Sequence, residues 1–432
     1  MSSWTRPRTT APEGTPMTDP TLAELTRVFA RIGVLSFGGP AGQIALMHRE
    51  LVERRGWLDE GRFLHALNYC MLLPGPEAMQ LATYAGWLLR GWRGGLIAGM
   101  LFVLPGVAAI LALSLVYTTY GQLGWIAAAF FGLKAAVIAI VAQALVRLIG
   151  KALTSPRHKA LALAAFVAIY ALGVPFPLIV LAAAAVGYAT TRGTRVVPVA
   201  APGPSLHDTA ATVSLWLTLW LLPVALLWLA LGPDHVLSQV AVYFSQMAVL
   251  TFGGAYAVLA WVAQAAVEGF GWLSAGAMLD GLAMAETTPG PLILVTQFVG
   301  YMAGFTAGGP LLAAPAALVT VWVTFAPCFL WIFAGAPYAE RLRGNPRLTG
   351  ALAAVTAAVV GVIANLGLWF ALHALFAQIQ PVRGIALPVW SSLDPSALAL
   401  TLLALLAAFA LRAGPATLIA GAALAGIALR AF

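Results

Sequence analysis

An apolar segment from about Phe63 to Leu89 carries Pro74-Gly75-Pro76 near its centre. A second copy, Pro289-Gly290-Pro291, lies in a matching segment from Ala277 to Tyr301. Proline removes a backbone donor from a helix and clashes with the preceding turn, so each copy predicts a broken helix. Inside a bilayer such a break is tolerated only where the freed backbone groups face protein or a water-filled cavity. The paired breaks therefore predict a binding site.

The composition is that of a polytopic membrane protein. Of 432 residues, 61% are hydrophobic and 9% are charged, and the mean hydropathy is +0.91. The formal net charge of +8 does not indicate a nucleic-acid partner, because the arginines lie between apolar segments, where the positive-inside rule accounts for them. Cys70 and Cys328 form no CxxC pattern and the histidines show no metal-ligand spacing, so we predict no cofactor and no metal. The partner that the composition predicts is the lipid bilayer.

The sequence repeats once, with a constant offset. Phe37 recurs as Phe252, Gly56-Trp57-Leu58 as Gly271-Trp272-Leu273, and Pro74-Gly75-Pro76 as Pro289-Gly290-Pro291 (252 − 37 = 271 − 56 = 289 − 74 = 215). Three motifs in one ungapped register predict two homologous halves. We place a disordered tail at 1–21, the first repeat at 22–190, a linker at 191–210 and the second repeat at 211–432.

Further segments complete an all-α prediction. Two more helix breaks are predicted at Ser36-Phe37-Gly38-Gly39-Pro40 and at Thr251-Phe252-Gly253-Gly254. Spanning helices are predicted at 95–119, 123–149, 211–231, 311–333 and 348–376, because each is long enough to cross the bilayer. Two pairs of shorter apolar helices, at 161–172 with 176–188 and at 398–411 with 415–429, close the two halves.

Charge indicates that the two halves are inverted. The loop between the breaks of the first half carries Arg49, Arg54, Arg55 and Arg62, whereas the matching loop, 263–276, carries no basic residue. Equivalent loops of such different charge are expected on opposite faces of the membrane. The unpaired helix at 211–231 supplies the extra crossing that inverts the second half.

Two structures of the Pro-Gly-Pro segments agree with the sequence. Both flanks of the first one are basic, with Arg62 on one side and Arg90 and Arg93 on the other, which predicts a re-entrant hairpin that enters and leaves on one face. The alternative is a plain kinked helix that crosses the bilayer, because a stretch of this length is also able to span it.

The broken segments resemble the signatures of the chromate ion transporter family. The resemblance is carried by Phe37-Gly38-Gly39-Pro40, by Leu73-Pro74-Gly75-Pro76-Glu77-Ala78 with Gln80-Leu81-Ala82, by Thr251-Phe252-Gly253-Gly254-Ala255-Tyr256, and by Glu286-Thr287-Thr288-Pro289-Gly290-Pro291-Leu292. It covers about Leu22 to Leu429 and is similar to the long, two-repeat form of the family. The extension before Leu22 departs from the family pattern and is treated as dispensable.

The resemblance implies a multi-pass secondary transporter of the cytoplasmic membrane for a small tetrahedral dianion. Members are associated with chromate efflux and resistance, driven by the membrane potential or the proton gradient, and some are linked to sulfate. The resemblance leaves open uptake of sulfate or of another oxyanion, and a homodimer is an assembly that the sequence leaves open. The other function classes are an anion channel and a membrane-embedded enzyme, but no DxxxD or HExxH metal motif is present, so we predict that the protein is not an enzyme.

A dianion site in the bilayer needs donors and positive potential without many buried cations. Broken helices supply both, because their N-terminal amides lack internal partners and lie at the positive end of the helix dipole. The alternative is that the glycines of the breaks serve close helix packing. The predicted substrate-binding residues are Ser36, Phe37, Gly38, Gly39, Pro74, Gly75, Pro76, Thr251, Phe252, Gly253, Gly254, Thr287, Thr288, Pro289, Gly290 and Pro291.

Three charged residues near or within apolar segments are further candidates. Lys134 lies about 17 Å into its span at about 1.5 Å per residue, near the centre of a core about 30 Å thick. It is predicted either to be a counter-charge for the anion or to pair structurally with Glu77 or Glu286. Those two acids flank the Pro-Gly-Pro breaks and are the candidates for binding a coupling proton.

Overall fold

The computed structural model describes residues 20–37, 39–121, 123–191, 205–252, 255–338, 346–382 and 385–430. Several of the residues singled out from the sequence lie outside these ranges. They are Gly38, Gly253, Gly254, the predicted tail up to residue 19 and most of the predicted linker.

The first half of the chain folds into seven α-helices over the described residues. They are α1 (Leu22–Leu35), α2 (Gly39–His48), α3 (Glu60–Cys70), α4 (Glu77–Tyr120), α5 (Gly124–Ala152), α6 (Pro156–Tyr170) and α7 (Phe176–Thr190). A π-helical turn, Arg49–Glu53, extends α2, and α4 is interrupted by non-helical backbone at Arg90 and Gly91. The predicted breaks at 36–40 and 74–76 both separate helices.

The second half repeats this order. Its α-helices are α8 (Leu206–Leu231), α9 (Val236–Leu250), α10 (Ala255–Gln264), α11 (Ala275–Thr287), α12 (Val295–Gly308), α13 (Pro310–Gly335), α14 (Pro346–Leu375), α15 (Pro395–Phe409) and α16 (Pro415–Arg430). A π-helical turn again follows, at Ala265–Gly269, and 3-10 turns lie at Leu292–Leu294, Ala336–Tyr338 and Trp390–Ser392. The second pair of breaks falls between α9 and α10 and between α11 and α12.

The chain is a helical, two-repeat membrane protein. Within the described ranges, five helices are long and apolar enough to cross a membrane: Glu77–Tyr120, Gly124–Ala152, Leu206–Leu231, Pro310–Tyr338 and Pro346–Leu375. Each overlaps one of the five spans predicted from the sequence. The prediction missed one element, an antiparallel hairpin of β1 (Ile379–Val382) and β2 (Ile385–Pro388), which is too short to give an alternating pattern against its apolar surroundings.

Polar caps fix where several helices begin. Thr21 and Glu24 form a capping box at α1, in which each side chain accepts a hydrogen bond from the other residue's amide. Asp59 accepts from the amide of Arg62 at α3, and Asp394 accepts from two amides at α15. Each cap satisfies donors that the first helical turn leaves without a carbonyl partner.

The helices cluster into two compact units, and each unit draws on both halves of the sequence. One unit combines Met1–Leu111, Arg195–Gly254 and Thr288–Asn345, and we call it the break unit because it holds both Pro-Gly-Pro motifs. The other combines Ala112–Thr194, Ala255–Thr287 and Pro346–Phe432, and we call it the lysine unit after Lys134.

Each unit has its own core. In the break unit the largest fully buried side chains include Phe29, Phe63, Phe102, Phe244 and Phe298. In the lysine unit, small side chains of α5 (Ala135, Ala136, Ala139) pack against Leu400 and Ala404 of α15 and against Leu418 and Ile419 of α16. Small residues let helix backbones approach closely, which is how helices associate where lipid removes most of the hydrophobic driving force.

Candidate functional site

Two reciprocal backbone hydrogen bonds join the breaks of the break unit. The amide of Gly75 donates to the carbonyl oxygen of Thr251 at 2.8 Å, and the amide of Gly290 donates to the carbonyl oxygen of Ser36 at 2.9 Å. Gly75 and Gly290 are equivalent in the repeat, as are Ser36 and Thr251. Each Pro-Gly-Pro motif is therefore hydrogen-bonded to the C-terminal end of a helix of the other half. The two bonds are related by an approximate local two-fold axis.

Both central glycines have left-handed backbone, with φ of +115° at Gly75 and +96° at Gly290. A side chain is strained in this region whatever space surrounds it. A Cβ atom on Gly75 would in addition lie 2.9 Å from Nε2 of Gln80 and 3.1 Å from Sγ of Cys328. The backbone of each break thus requires glycine at its centre.

The hydroxyl groups beside the breaks are engaged within their own helices. Ser36 donates through Oγ to the carbonyl of Ile32, and Thr251 donates through Oγ1 to the carbonyl of Met247, both at 2.7 Å. These bonds are also repeat-equivalent. In the lysine unit, Thr287 donates to the carbonyl of Met284 at 2.7 Å. These hydroxyl groups and the amides of Gly75 and Gly290 already donate hydrogen bonds within the protein. Most of the hydrogen bonds to a bound anion must therefore come from other donors.

Candidate donors are the backbone amides at the starts of the helical segments that follow the two Pro-Gly-Pro motifs. Helix α4 begins at Glu77, directly after Pro76, and a 3-10 turn begins at Leu292, directly after Pro291. The first amides of a helix have no carbonyl partner within it and lie at its positive end. The break unit therefore contains two such helix starts, each fixed by its crossed bond.

Two buried glutamines brace the breaks. Gln43 donates through Nε2 to the carbonyl of Gly290 at 2.7 Å and to that of Ser36 at 3.3 Å. Gln80 donates through Nε2 to the carbonyl of Pro74 at 2.7 Å. Both side chains are fully buried, and the Oε1 atom of each accepts no hydrogen bond from the residues that the structure describes. Buried acceptors of this kind are where ordered water or a ligand donor is expected.

The two breaks differ in exposure. Pro74, Gly75 and Pro76 are half-buried, and Phe37 beside them is 47% exposed. Gly290 and Pro291 are buried. Pro289 is half-buried like its equivalent Pro74, whereas Gly75 and Pro76 are more exposed than their equivalents Gly290 and Pro291.

An apolar cavity of the break unit is a different feature. It has a volume of about 520 Å³, lies between α4, α8 and α13, and is lined by tryptophan, phenylalanine, leucine, valine and other uncharged side chains. A doubly charged anion placed there would lose its hydration without compensation. This cavity does not fit the predicted substrate.

Lys134 lies in the lysine unit, opposite an acid that the sequence analysis did not name. Its Nζ is 3.9 Å from Oδ1 of Asp280. Asp280 is 5% exposed and accepts a hydrogen bond at Oδ2 from the hydroxyl of Tyr117, at 3.0 Å. The carboxylate within ion-pair distance is thus neither that of Glu77 nor that of Glu286, the two partners considered from the sequence.

Glu286 has a partner of its own in the lysine unit. It accepts a short hydrogen bond at Oε1 from the hydroxyl of Tyr256, which belongs to the motif Thr251-Phe252-Gly253-Gly254-Ala255-Tyr256. The charge of Arg147 on α5 acts on the same pair. The two motifs of the second half, one ending at Tyr256 and the other beginning at Glu286, are therefore joined by side chains.

The charged loop of the first half is tied together by ion pairs. Glu50 is 2% exposed and binds Arg54 at 2.6 Å as well as Arg55. Burial by itself raises the pKa of Glu50, but the hydrogen bonds and charges of Arg55 and Arg54 outweigh it, so the pKa lies below its usual value. His48 lies between Glu60 and Glu53, and its pKa is raised chiefly by the hydrogen bond to Glu60.

The family assignment rests on matches along most of the chain. The chromate transporter family matches residues 23–188 and 238–427. The chain belongs to the chromate transporter family. The chain is 36% identical to a chromate transport protein of Pseudomonas aeruginosa over 78% of this chain and 77% of that one. It is 32% identical to a probable chromate transport protein of Synechococcus elongatus, over 80% and 83% of the two chains, and 31% identical to a chromate transport protein of Cupriavidus metallidurans, over 84% and 86%. No solved structure matches the chain.

In this chromate transporter homologue, the two family matches are separated by the same offset as the internal repeat. The second begins 215 residues after the first (238 − 23 = 215), which is the offset of the three motifs. The second match is longer, and the β1–β2 hairpin and the 3-10 turn at Trp390–Ser392 lie within it.

Sequence reasoning missed Asp280, Tyr117, Gln43 and the bracing role of Gln80. Asp280 is an acid inside a predicted broken apolar segment, and an ionisable residue in such a place is a functional candidate by itself. Gln43 follows the first break closely and is polar within an apolar run. Among the described residues, no group of three or more His, Cys, Asp and Glu side chains is arranged to hold a metal.

Proposed function

We propose that this protein is a secondary transporter that exports chromate across the cytoplasmic membrane and so confers chromate resistance. Membership in the chromate transporter family supports the substrate, since three relatives are chromate transport proteins or a probable one. The negative potential inside a cell favours outward movement of an anion, which supports the direction. Two inverted repeats with broken helices suit alternating access around one site.

The observation that carries the proposal is the pair of crossed bonds from Gly75 to Thr251 and from Gly290 to Ser36. These bonds hold two helix starts in fixed positions. Chromate has four acceptor oxygens and two negative charges, so the amides and the positive dipole ends of helix starts suit both its oxygens and its charge. The proposed anion site comprises the first-turn amides after Pro76 and Pro291, with the remaining break residues as its walls.

The charge of the first loop supports the inverted arrangement. Arg54, Arg55 and Arg62 are paired with acids of the same loop, but orientation follows the number of basic residues and responds little to acids. The equivalent turn at Ala265–Gly269 carries only Glu268, which accepts a hydrogen bond from Nε1 of Trp369. The first loop is therefore proposed to be cytoplasmic and the second to lie outside.

The test is uptake of labelled chromate into liposomes that contain the purified protein. We expect saturable uptake above that of protein-free liposomes, reduced by excess sulfate because it is also a tetrahedral dianion. Uptake that tracks voltage alone and does not saturate would favour a channel. A chemical change in the recovered chromate would favour an enzyme, and faster transport of sulfate than of chromate would favour a sulfate carrier.

Direction and physiological role need cells and everted vesicles. We expect everted vesicles to accumulate chromate, because their outer face corresponds to the cytoplasm. We also expect cells that produce the protein to grow at chromate concentrations that stop cells with an empty vector. Increased sensitivity of the producing cells would show that the protein imports chromate.

A further inference from the structure

The apolar cavity between α4, α8 and α13 is elongated, and all of it lies within the break unit. Residues of α4 that line it recur every three or four positions: Trp92, Leu96, Gly99, Val103 and Val107. The lining residues of α13 have the same spacing: Trp322, Ala326, Phe329 and Phe333. This spacing defines one face of a helix, so the cavity follows α4 for about 22 Å, at about 1.5 Å per residue.

The inner wall of this cavity is built from stacked rings. Trp216 of α8 stacks on Phe329 and Phe333 of α13, with ring centroids 5.2 Å and 5.4 Å apart. On α4, a Cβ atom at Gly95 would lie 2.8 Å from a ring carbon of Phe333, and one at Gly99 would lie 2.8 Å from a ring carbon of Phe329. The two glycines therefore let α4 contact the rings directly on this side.

The outer side of the cavity is open. Trp92, Leu104 and Leu215 line it and are 41%, 47% and 47% exposed. Only 11% of the most apolar stretch of α8 is buried within the protein. The medium around the apolar part of a spanning helix is lipid hydrocarbon. The cavity therefore opens sideways into the bilayer.

The lining and the size of the cavity suit a hydrocarbon chain. Its lining side chains are uncharged and mostly apolar, and such cavities exclude water and bind apolar molecules. A cavity of about 150 Å³ is enough for a benzene-sized molecule. The volume here is about 520 Å³, in a long and narrow shape, which favours one acyl chain of a lipid.

One end of the cavity carries positive charge. The guanidinium of Arg93 lies 5.4 Å from the ring centroid of Trp92, and Arg93 is exposed. The backbone is non-helical at Arg90 and Gly91, so a helical segment starts at Trp92 and its positive dipole end lies at the same place. The arginines that form ion pairs within the described ranges are others: Arg54, Arg55, Arg62 and Arg430. Arg93 is therefore available to an anionic group from outside the protein.

We infer that this cavity binds an acyl chain of an anionic phospholipid and that Arg93 binds the phosphate of its headgroup. A guanidinium presents two parallel donors to phosphate oxygens. A zwitterionic headgroup would bring its own cation close to Arg93 and to the positive helix end, so a lipid with net negative charge is preferred. The inference does not depend on which solute the protein transports.

The bound chain would also contact the region of the first break. Met79 lines the cavity and lies in the first turn of α4, which begins at Glu77 directly after Pro76. A ligand that binds only the folded protein stabilises it by mass action. The lipid is therefore expected to stabilise the break unit.

The test adds phosphatidylglycerol or phosphatidylcholine, with the same dioleoyl chains, to the purified full-length protein in detergent. Native mass spectrometry measures the bound lipid, and the thermal midpoint is followed in parallel. We expect one retained phosphatidylglycerol per chain, an affinity about tenfold higher than that of phosphatidylcholine, and a midpoint that rises with lipid concentration. Equal affinity for the two lipids would overturn the inference.

Arg93→Gln tests the headgroup contact. Its affinity for phosphatidylglycerol should fall about tenfold, to the level of phosphatidylcholine, because charge-assisted hydrogen bonds are lost. Its affinity for phosphatidylcholine should not change. Arg49→Gln, at an exposed arginine away from the cavity, is the matched control and should bind as wild type. A preference for phosphatidylglycerol that persists in Arg93→Gln overturns the assignment.

Ala326→Leu tests the chain contact. Ala326 lines the cavity and is buried, so a larger side chain occupies the space of the lipid chain. Both lipids should bind at least about fivefold more weakly, while the lipid-free midpoint stays the same or rises because the cavity is partly filled. Ala225→Leu, at an exposed position of α8 outside the cavity, is the control. Wild-type affinity for both lipids in folded Ala326→Leu would contradict the inference.

A cross-linking measurement on the wild type covers the case in which Ala326→Leu does not fold. The probe is phosphatidylglycerol with a photoreactive diazirine in its acyl chain. The cross-linked peptides should contain the lining segments of α4, α8 or α13. Cross-links confined to other helices would overturn the inference. So would a dimer joined through these three helices that retains no lipid, since a second copy of the chain would then be the occupant.

Discussion

The amide of Gly75 donates to the carbonyl oxygen of Thr251 across 2.8 Å, and this bond joins the proline break of one half to the helix end of the other. The bond between Gly290 and Ser36 is its repeat-equivalent. Reciprocal contacts between equivalent residues require a local two-fold axis. Parallel and inverted repeats both have such an axis, so the axis alone does not distinguish between them. The difference in charge between the equivalent loops favours inverted repeats.

Accessibility of two equivalent loop positions tests the inversion. Glu53 and Glu268 are repeat-equivalent, are both exposed, and lie in the two π-helical turns. In a background without Cys70 and Cys328, Glu53→Cys should react with an impermeant maleimide only from the cytoplasmic side, and Glu268→Cys only from outside. Labelling is measured in intact cells and in everted vesicles.

Reaction of both cysteines from the same side would contradict the inverted arrangement and favour parallel repeats. The background variant is the control, since it should remain unlabelled from either side. Both native cysteines are buried, so their removal changes no exposed surface.

Gln43 should stabilise the folded protein through its hydrogen bonds to the carbonyl oxygens of Gly290 and Ser36. Gln43→Leu removes the donor to the carbonyls of Gly290 and Ser36, which leaves buried acceptors short of a partner and costs about 1–3 kcal/mol. We expect a lower thermal midpoint of the detergent-solubilised protein. Gln264→Leu, at an exposed position on α10, is the control, and an equal loss of stability in the two variants would rule out a bracing role.

The loop histidine gives a defined pH dependence of stability. His48 contacts Glu60 through Nε2 at 2.6 Å and Glu53 through Nδ1 at 3.0 Å, and the bond to Glu60 is the main reason that its pKa is raised. Stabilisation by the charged imidazole is complete below the unfolded value of about 6.5 and is lost as pH rises through the raised folded value. The thermal midpoint of the wild type should therefore fall over this window.

His48→Gln should remove that fall, because glutamine has no charge to lose. The measurement is the difference between the two thermal midpoints at several pH values. If both proteins lose stability in parallel across the window, the imidazole is not the responsible group.

The sequence predicted the fold well where the signal is local. The Pro-Gly-Pro and Phe-Gly-Gly motifs within apolar segments located the breaks, and apolar length located the five long helices, because both depend on nearby residues alone. The β1–β2 hairpin was missed, since two four-residue strands carry little periodic signal.

The partners of the candidate site were harder to predict. The sequence marked Gly75 and Gly290 as places of close backbone approach, but not that each amide is bound by the other half. Lys134 was recognised from its depth, whereas its partner Asp280 lies 146 residues away (280 − 134) and is set by tertiary packing. Hydrogen-bond partners at such separations depend on the fold, which local patterns do not specify.

Calorimetric titration of chromate into the purified protein tests the central claim, that the crossed glycines organise the anion site. Gly75→Ala and Gly290→Ala place a side chain where φ is +115° and +96°, a strain of about 1–2 kcal/mol that displaces the helix start. Gly173→Ala is the matched control, because Gly173 has a φ of +62°, has open space around it, and lies in the turn between α6 and α7. The account predicts wild-type affinity for Gly173→Ala and affinity at least about tenfold weaker for the two break variants, in protein that still runs as a single species. Wild-type affinity in folded Gly75→Ala and Gly290→Ala would contradict it.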